Sequence, residues 1–170
     1  GELESIADRP AYRNRDAKIQ LLEEQGLEGC FLFPTLGVGM ESALEHDLEA
    51  LQAAFSAFNR WMAEDWGFSY KDRIFAAPYI TLTDVRHALD ELEFALDQDA
   101  RLINMRASAV TTSDGKKSPG DKSFDPFWER INEAGITVAF HSGDPAYDFL
   151  FAHWGLSTEY KRYAFDAAHG

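Results

Sequence analysis

Four stretches of the chain carry the spacing of apolar residues that is typical of amphipathic helices. The clearest covers residues 47–66, in which apolar side chains recur at steps of three and four and therefore share one face. These side chains are Leu48, Leu51, Phe55, Phe58, Met62 and Trp66. Weaker helical patterns cover residues 14–25, 83–96 and 125–135. The predicted N-caps are Asn14, Asp47, Thr83 and Asp125, since each has a side-chain oxygen that can accept a hydrogen bond from the first turn.

Short apolar runs separate these helices and predict four β-strands. They cover residues 30–33, 73–80, 101–107 and 136–141. Helix and strand thus alternate four times, which favours an α/β fold of parallel βα units with right-handed crossovers. Residues 108–123 are predicted to be a loop, and residues 144–170 a poorly patterned helical tail. No linker divides residues 1–170, so a single domain is expected.

Composition and charge narrow the class of protein. Apolar residues make up 45% of the 170 residues and charged residues 26%, which is typical of a globular domain. Cys30 is the single cysteine, so neither an internal disulfide nor a Cys-rich zinc site is possible. The formal charge of −13 argues against binding to nucleic acid. No apolar run of membrane-spanning length and no secretory signal is present, so we expect no membrane partner and a cytoplasmic location.

Polar residues at the ends of the third and fourth predicted strands are the strongest candidates for chemistry, because parallel α/β folds bind ligands at the carboxyl ends of their strands. Strand alternation places Asn104 and Arg106 on one face, and likewise Ala139 and His141. An imidazole there can bind a metal or act as a base, and a guanidinium can bind a carboxylate. On spacing alone, a structural role for either residue remains open.

Several segments of the chain together carry a family resemblance. They are FLFPTLGVGMESAL, FNRWMAEDWGFSYKDRIFAAPYITL, NMRAS and SPGDKSFDPFWERINEAGITVAFHSGDPAY. In combination they resemble the amidohydrolase-2 group of the amidohydrolase superfamily, the metal-dependent hydrolases related to aminocarboxymuconate semialdehyde decarboxylase. The resemblance implies a (β/α)8 TIM barrel of which this chain forms about half, its strands matching the second to fifth. It also implies a divalent metal, with zinc as the expected ion.

The resemblance assigns roles to two residues of this chain. His141 matches the strand-5 metal histidine of the family, and Arg106 lies where the family often places substrate-binding residues. No histidine precedes His46, and neither His153 nor His169 ends a strand-like run, so the other family ligands have no counterpart. Since a catalytic zinc usually has three protein ligands, the chain is interpreted as an inner fragment of such an enzyme, or the ordered part of a longer chain, with a single partial barrel domain.

Three functional hypotheses follow. The leading one is a metal-dependent hydrolase of C–N or C–O bonds, or a non-oxidative decarboxylase, whose small-molecule substrate bears a carboxylate. The alternative is a non-catalytic barrel fragment that self-associates or binds a protein partner through its exposed sheet face; a homo-oligomer is expected. The third is a flavodoxin-like domain that binds a small acidic ligand. Gly37 and Gly39 lack the spacing of a phosphate-binding loop, which counts against the third.

Overall fold

The computed structural model describes residues 8–141, which form helices alternating with mainly parallel strands. The helices are α1 (Arg15–Glu24), α2 (Thr35–Ala43), α3 (Leu48–Asp65), α4 (Val85–Asp97) and α5 (Asp125–Ala134). The strands are β1 (Cys30–Leu32), β2 (Ile74–Ala76), β3 (Leu102–Arg106), β4 (Val110–Thr112), β5 (Gly115–Lys117) and β6 (Thr137–His141). The helical tail predicted over residues 144–170 lies outside the described residues.

The four predicted strands are parallel neighbours in the predicted order, β1, β2, β3 and β6. β1 pairs with β2, and β3 pairs with β6. Just beyond β2 the chain joins β3 through a parallel bridge between Tyr79 and Asn104. At this bridge the Asn104 amide donates to the Pro78 carbonyl at 2.8 Å, and the Ile80 amide donates to the Asn104 carbonyl at 2.9 Å. The carboxyl ends of all four strands therefore point the same way.

The helix boundaries follow local capping chemistry. The Asn14 side chain accepts hydrogen bonds from the first turn of α1, and Asp47 does the same for α3, as predicted. The predicted cap of α4 is wrong: Asp84, not Thr83, accepts from the His87 amide at 2.8 Å. Asp125 is the first residue of α5 rather than its cap. At the other end of α5, Gly135 adopts the left-handed conformation that terminates a helix, with φ of 64°.

Helix α2 and the β4–β5 hairpin were absent from the sequence prediction. Helix α2 follows β1 directly and contains Gly37 and Gly39, which sequence analysis considered only as a phosphate loop. The predicted loop of residues 108–123 contains the antiparallel hairpin β4–β5. A side-chain hydrogen bond stabilises the hairpin turn: Thr112 Oγ1 donates to Asp114 Oδ1 at 2.6 Å. Together with a hydrogen bond from Lys117, this contact lowers the pKa of Asp114 to about 2.

The main core lies between one face of the parallel strands and helices α3, α4 and α5. Ile103 and Met105 of β3 pack there with Leu92 of α4 and Phe127 of α5, all of them buried. The predicted stripe of α3 is buried at Leu51, Phe55 and Met62, and Phe58 is partly buried. None of the helices within residues 8–141 is long and apolar enough to cross a membrane.

Candidate functional site

Arg106 and His141 lie side by side at the carboxyl ends of β3 and β6. They are register partners in the parallel ladder, so both side chains lie on the same face of the sheet. The next pair inward on that face is Asn104 with Ala139, and the pair after that is Leu102 with Thr137. The face is opposite to the one that carries Ile103 and Met105 into the helical core. The two residues singled out from the sequence are thus neighbours at the predicted place.

The same face is apolar further from the strand ends. Phe31, Phe33, Phe75, Leu102 and Thr137 line a cavity of ≈ 560 Å³ together with Asp72 and Arg101. The Phe33 ring lies 6.1 Å, between centroids, from the His141 ring. Asp72 and Arg101 come just before β2 and β3, so this cavity extends to the amino ends of these strands. Parallel α/β folds bind ligands at the carboxyl ends of their strands, so we place the candidate chemistry at the polar end instead.

At the polar end of this face, three side-chain atoms are buried and have no hydrogen-bond partner among the described residues. They are Asn104 Nδ2, Asn104 Oδ1 and Arg106 Nε. Asn104 is fully buried, with 0% of its surface exposed, and its backbone groups are already bonded to Pro78 and Ile80. Buried polar groups in folded proteins nearly always have a partner, so orphaned groups clustered at a strand end mark a position for a ligand or another segment.

A buried carboxyl group accompanies this arrangement. Helix α2 brings Glu41 to the end of β2, where Tyr79 Oη and Thr81 Oγ1 both donate to its carboxylate. Burial raises the pKa of Glu41, and these hydrogen bonds and the charge of Arg106 oppose that effect only in part. Burial and the neighbouring Glu41 raise the pKa of Tyr79 as well, which keeps its hydroxyl protonated as a donor. Glu41 therefore adds a buried carboxyl group to this end of the sheet.

Neither Glu41 nor Tyr79 was predicted from the sequence as a site residue. The two residues are 38 positions apart, and their contact depends on α2, which the sequence did not predict. Both lie inside the segments that carried the family resemblance, and that was the one available signal. An acidic residue among Gly, Met and Ala otherwise looks like an exposed helix position.

A second network fixes the backbone of Tyr79. The Asn59 carboxamide of α3 accepts from the Tyr79 amide and donates to the Tyr79 carbonyl, both at 2.9 Å, as a neighbouring strand would. Asn59 Nδ2 also donates to Glu91 of α4 at 2.9 Å. Burial alone would raise the pKa of Glu91, but hydrogen bonds from Arg60, Asn59 and Ser56 lower it below its usual value. Helices α3 and α4 thereby hold the end of β2 in place.

The described residues do not by themselves fit a metal site. Within residues 8–141 no group of three or more His, Cys, Asp or Glu side chains is arranged to hold a metal ion. His141 offers one imidazole at the strand end, whereas a catalytic zinc usually has three protein ligands. The role of His141 as a metal ligand therefore stays a prediction, and so does the role of Arg106 in substrate binding.

Comparison with known proteins identifies the family. The sequence model of the amidohydrolase family matches residues 15–165. The chain belongs to this family, as its sequence segments had indicated. A search of curated proteins found no match.

One similar solved structure is the amidohydrolase map2389c from Mycobacterium avium subsp. paratuberculosis K-10, with 45% identity and a TM-score of 0.84. The match covers 91% of this chain and 40% of that one, so the present chain spans less than half the length of this relative. A 2,6-dihydroxybenzoate decarboxylase from Rhizobium is more distant. It is 18% identical with a TM-score of 0.48, and the match covers 82% of this chain and 44% of that one.

Proposed function

We propose that the complete protein is a metal-dependent amidohydrolase-type enzyme acting on a small substrate that bears a carboxylate. The reaction is hydrolysis of a C–N or C–O bond, or non-oxidative loss of the carboxylate as carbon dioxide. The observation that carries the proposal is the pairing of Arg106 with His141 at the carboxyl ends of adjacent parallel strands. Membership of the amidohydrolase family supports the class of enzyme, and the chain forms about half of the proposed TIM barrel.

In this proposal Arg106 binds the substrate carboxylate. A guanidinium donates two parallel hydrogen bonds to a carboxylate, which fixes its orientation as well as its charge. Arg106 Nε is buried without a partner among residues 8–141, so one of its donors remains available. Since the chain carries 29 acidic residues and 16 basic ones, a local cation is needed to attract an anionic substrate.

His141 is proposed as one ligand of a divalent metal, with zinc the expected ion. Its position at the end of β6, on the face shared with Arg106, supports this role. The other ligands have to come from residues outside 8–141, because the described part holds no three-ligand group.

The test compares the metal content of the full-length wild-type protein with that of His141→Ala, which lacks the strand-end imidazole. We expect the wild-type protein to hold a stoichiometric divalent metal and His141→Ala to lose it together with turnover of carboxylate substrates. His46→Ala is the matched control, because His46 is exposed in the segment between α2 and α3. Metal content that survives in His141→Ala, or that falls equally in both variants, would contradict the ligand assignment.

A second candidate function is self-association through the open sheet face, and exposed aromatic side chains favour it. Phe31 is 61% exposed and Phe33 is 42% exposed, both on the face that lines the apolar cavity. Light scattering coupled to gel filtration tests this candidate on the wild-type chain and on Phe31→Ser. A defined oligomer that Phe31→Ser dissociates would support it, whereas a monomer at all concentrations would remove it.

A further inference from the structure

The carboxamide of Asn104 is a buried polar group at the candidate site. It lies one pair inward from Arg106 on the same face of β3 and is fully buried. Both its donor, Nδ2, and its acceptor, Oδ1, lack a partner among the described residues. Burying a donor and an acceptor unpaired is unfavourable, so this carboxamide is expected to find its partner in a bound molecule or in a segment outside residues 8–141.

Among residues 8–141, the neighbours of Asn104 on this face supply no such partner. Across the ladder its register partner is Ala139, which has no polar side-chain atom. Leu102 precedes Asn104 on the same face. The backbone amide and carbonyl of Asn104 are already bonded to Pro78 and Ile80. An apolar side chain of similar size would suit this position in a purely structural role. Arg106, one pair closer to the strand end, has an unpaired Nε as well.

We infer that Asn104 is a second substrate-binding residue, which recognises a group beside the carboxylate that both accepts and donates a hydrogen bond. The inference rests on the proposed function, in which Arg106 binds the carboxylate itself. Asn104 Nδ2 donates to the oxygen of the neighbouring group, and Asn104 Oδ1 accepts its hydrogen. A substrate whose carboxylate carries only hydrogen or alkyl substituents beside it leaves both atoms unpaired and binds more weakly. Asn104 is thus a specificity residue of the same site.

Two probes that differ only in such a group test the inference on the full-length protein. Propionate offers a carboxylate alone, and lactate adds a hydroxyl on the adjacent carbon. Dissociation constants are measured by NMR titration of the wild-type protein, Asn104→Leu and Arg106→Gln. We expect the wild-type protein to bind lactate at least fivefold more tightly than propionate. Asn104→Leu is expected to lose this preference while binding propionate within twofold of wild type, and Arg106→Gln to lose both ligands.

A stability measurement separates this role from a structural one. If the Asn104 carboxamide has no partner within the fold, Asn104→Leu keeps or raises the Tm of the ligand-free protein. A fall of several degrees, with no such fall in the exposed control Asn132→Leu, would show a partner within the protein and overturn the inference. Asn132 is exposed on α5.

The outcomes distinguish this inference from the proposed function. Equal binding of lactate and propionate to the wild-type protein, abolished in Arg106→Gln, overturns the role of Asn104 and leaves the carboxylate site intact. Binding of neither probe to the wild-type protein overturns both proposals. A lactate preference that persists in Asn104→Leu shows that another residue recognises the hydroxyl, and it also overturns the inference.

Discussion

Glu41 is a residue at which burial and hydrogen bonding act in opposite directions. Burial raises the pKa of its carboxyl above the ordinary value of 4.5, although Tyr79 and Thr81 donate hydrogen bonds to it. Between the ordinary and the raised pKa the folded protein therefore holds a proton that the unfolded chain has released. The free energy of unfolding that Glu41 contributes is present below pH 4.5 and falls as pH rises through the raised pKa.

Replacing Glu41 by Gln isolates this titration. We expect the unfolding free energy of the wild-type protein to decrease, relative to that of Glu41→Gln, as pH rises from 4.5. Urea unfolding at a series of pH values measures the difference, and Glu49→Gln, at an exposed position of α3, is the control. Parallel curves for wild type and Glu41→Gln would mean that the hydroxyl donors and Arg106 keep the carboxyl ionised in the fold.

Asn59 makes a residue-scale contribution that stability measurements can detect. Its carboxamide satisfies the amide and carbonyl of Tyr79 and one oxygen of Glu91. Asn59→Ala leaves the Tyr79 amide and carbonyl buried and unpaired and removes one of the two donors to Glu91 Oε2, so we expect a loss of about 3–5 kcal/mol in unfolding free energy. Asn132→Ala, at an exposed position, is expected to change stability by less than about 0.5 kcal/mol. Similar small losses for the two variants would refute the bracing role of Asn59.

At the level of single residues, the sequence predicted which side chains share a face of a strand, because side chains alternate along it. It did not predict contacts between residues that are distant in the chain. Arg106 and His141 share a face because each lies at a fixed step along its own strand, and the register then brings them together. The contact of Glu41 with Tyr79 requires α2 to fold back over the end of β2, which no local pattern encodes. The orphaned atoms of Asn104 likewise emerge only when its neighbours in space are known.

The packing of α3 gives a prediction at the scale of elements. Phe55 is 1% exposed and stacks on the Tyr79 ring with centroids 4.4 Å apart and an interplanar angle of 13°. Phe55→Ala removes this contact and leaves a cavity between α3 and the end of β2, so we expect a loss of about 3–5 kcal/mol. Chemical denaturation measures it. Phe140→Ala, at a position 53% exposed, should lose only about 1 kcal/mol. Equal losses would mean that the α3 stripe is not a packed interface.

Elements with a long repeating pattern were predictable, and short elements formed by packing were not. Helix α3 repeats its apolar stripe over 18 residues, so its position and its Asp47 cap follow from the sequence. Helix α2 has nine residues that include two glycines, which locally favour a turn. It packs closely on α3 all the same: a Cβ atom added at Gly37 would come within 3.5 Å of the Phe55 ring. The β4–β5 hairpin has strands of three residues, too short for alternation to be visible.

For the molecule as a whole, the order of the parallel strands follows from the alternation of helices and strands, whereas the metal site does not. Right-handed crossovers place successive strands side by side, and β1, β2, β3 and β6 follow that order. A metal site needs several ligands to converge from different strands. The described residues hold no group of three or more potential ligands, so the metal site stays a prediction that the order of these strands does not decide.

The net charge of −13 sets the last prediction, on the response of stability to salt. An excess of 29 acidic over 16 basic residues repels itself most strongly in the compact state, so screening that repulsion stabilises the fold. Salt also weakens exposed ion pairs such as Lys71–Asp16 and Lys117–Asp114, but exposed pairs contribute little each. We expect Tm to rise by roughly 2–4 °C, on the order of 1 kcal/mol, from low salt to physiological ionic strength.

The rise should be nearly complete at moderate salt, because the Debye length falls from about 30 Å at 0.01 M to about 8 Å at 0.15 M. The measurement is Tm from thermal unfolding at sodium chloride concentrations across this range. Sulfate is avoided because it strengthens apolar burial on its own. Sucrose is the control for stabilisation by solutes that are excluded from the protein surface. Because it is neutral, it should raise Tm steadily with concentration and show no plateau. A Tm that stays constant or falls between these salt concentrations would mean that ion pairing outweighs the repulsion among the acidic side chains.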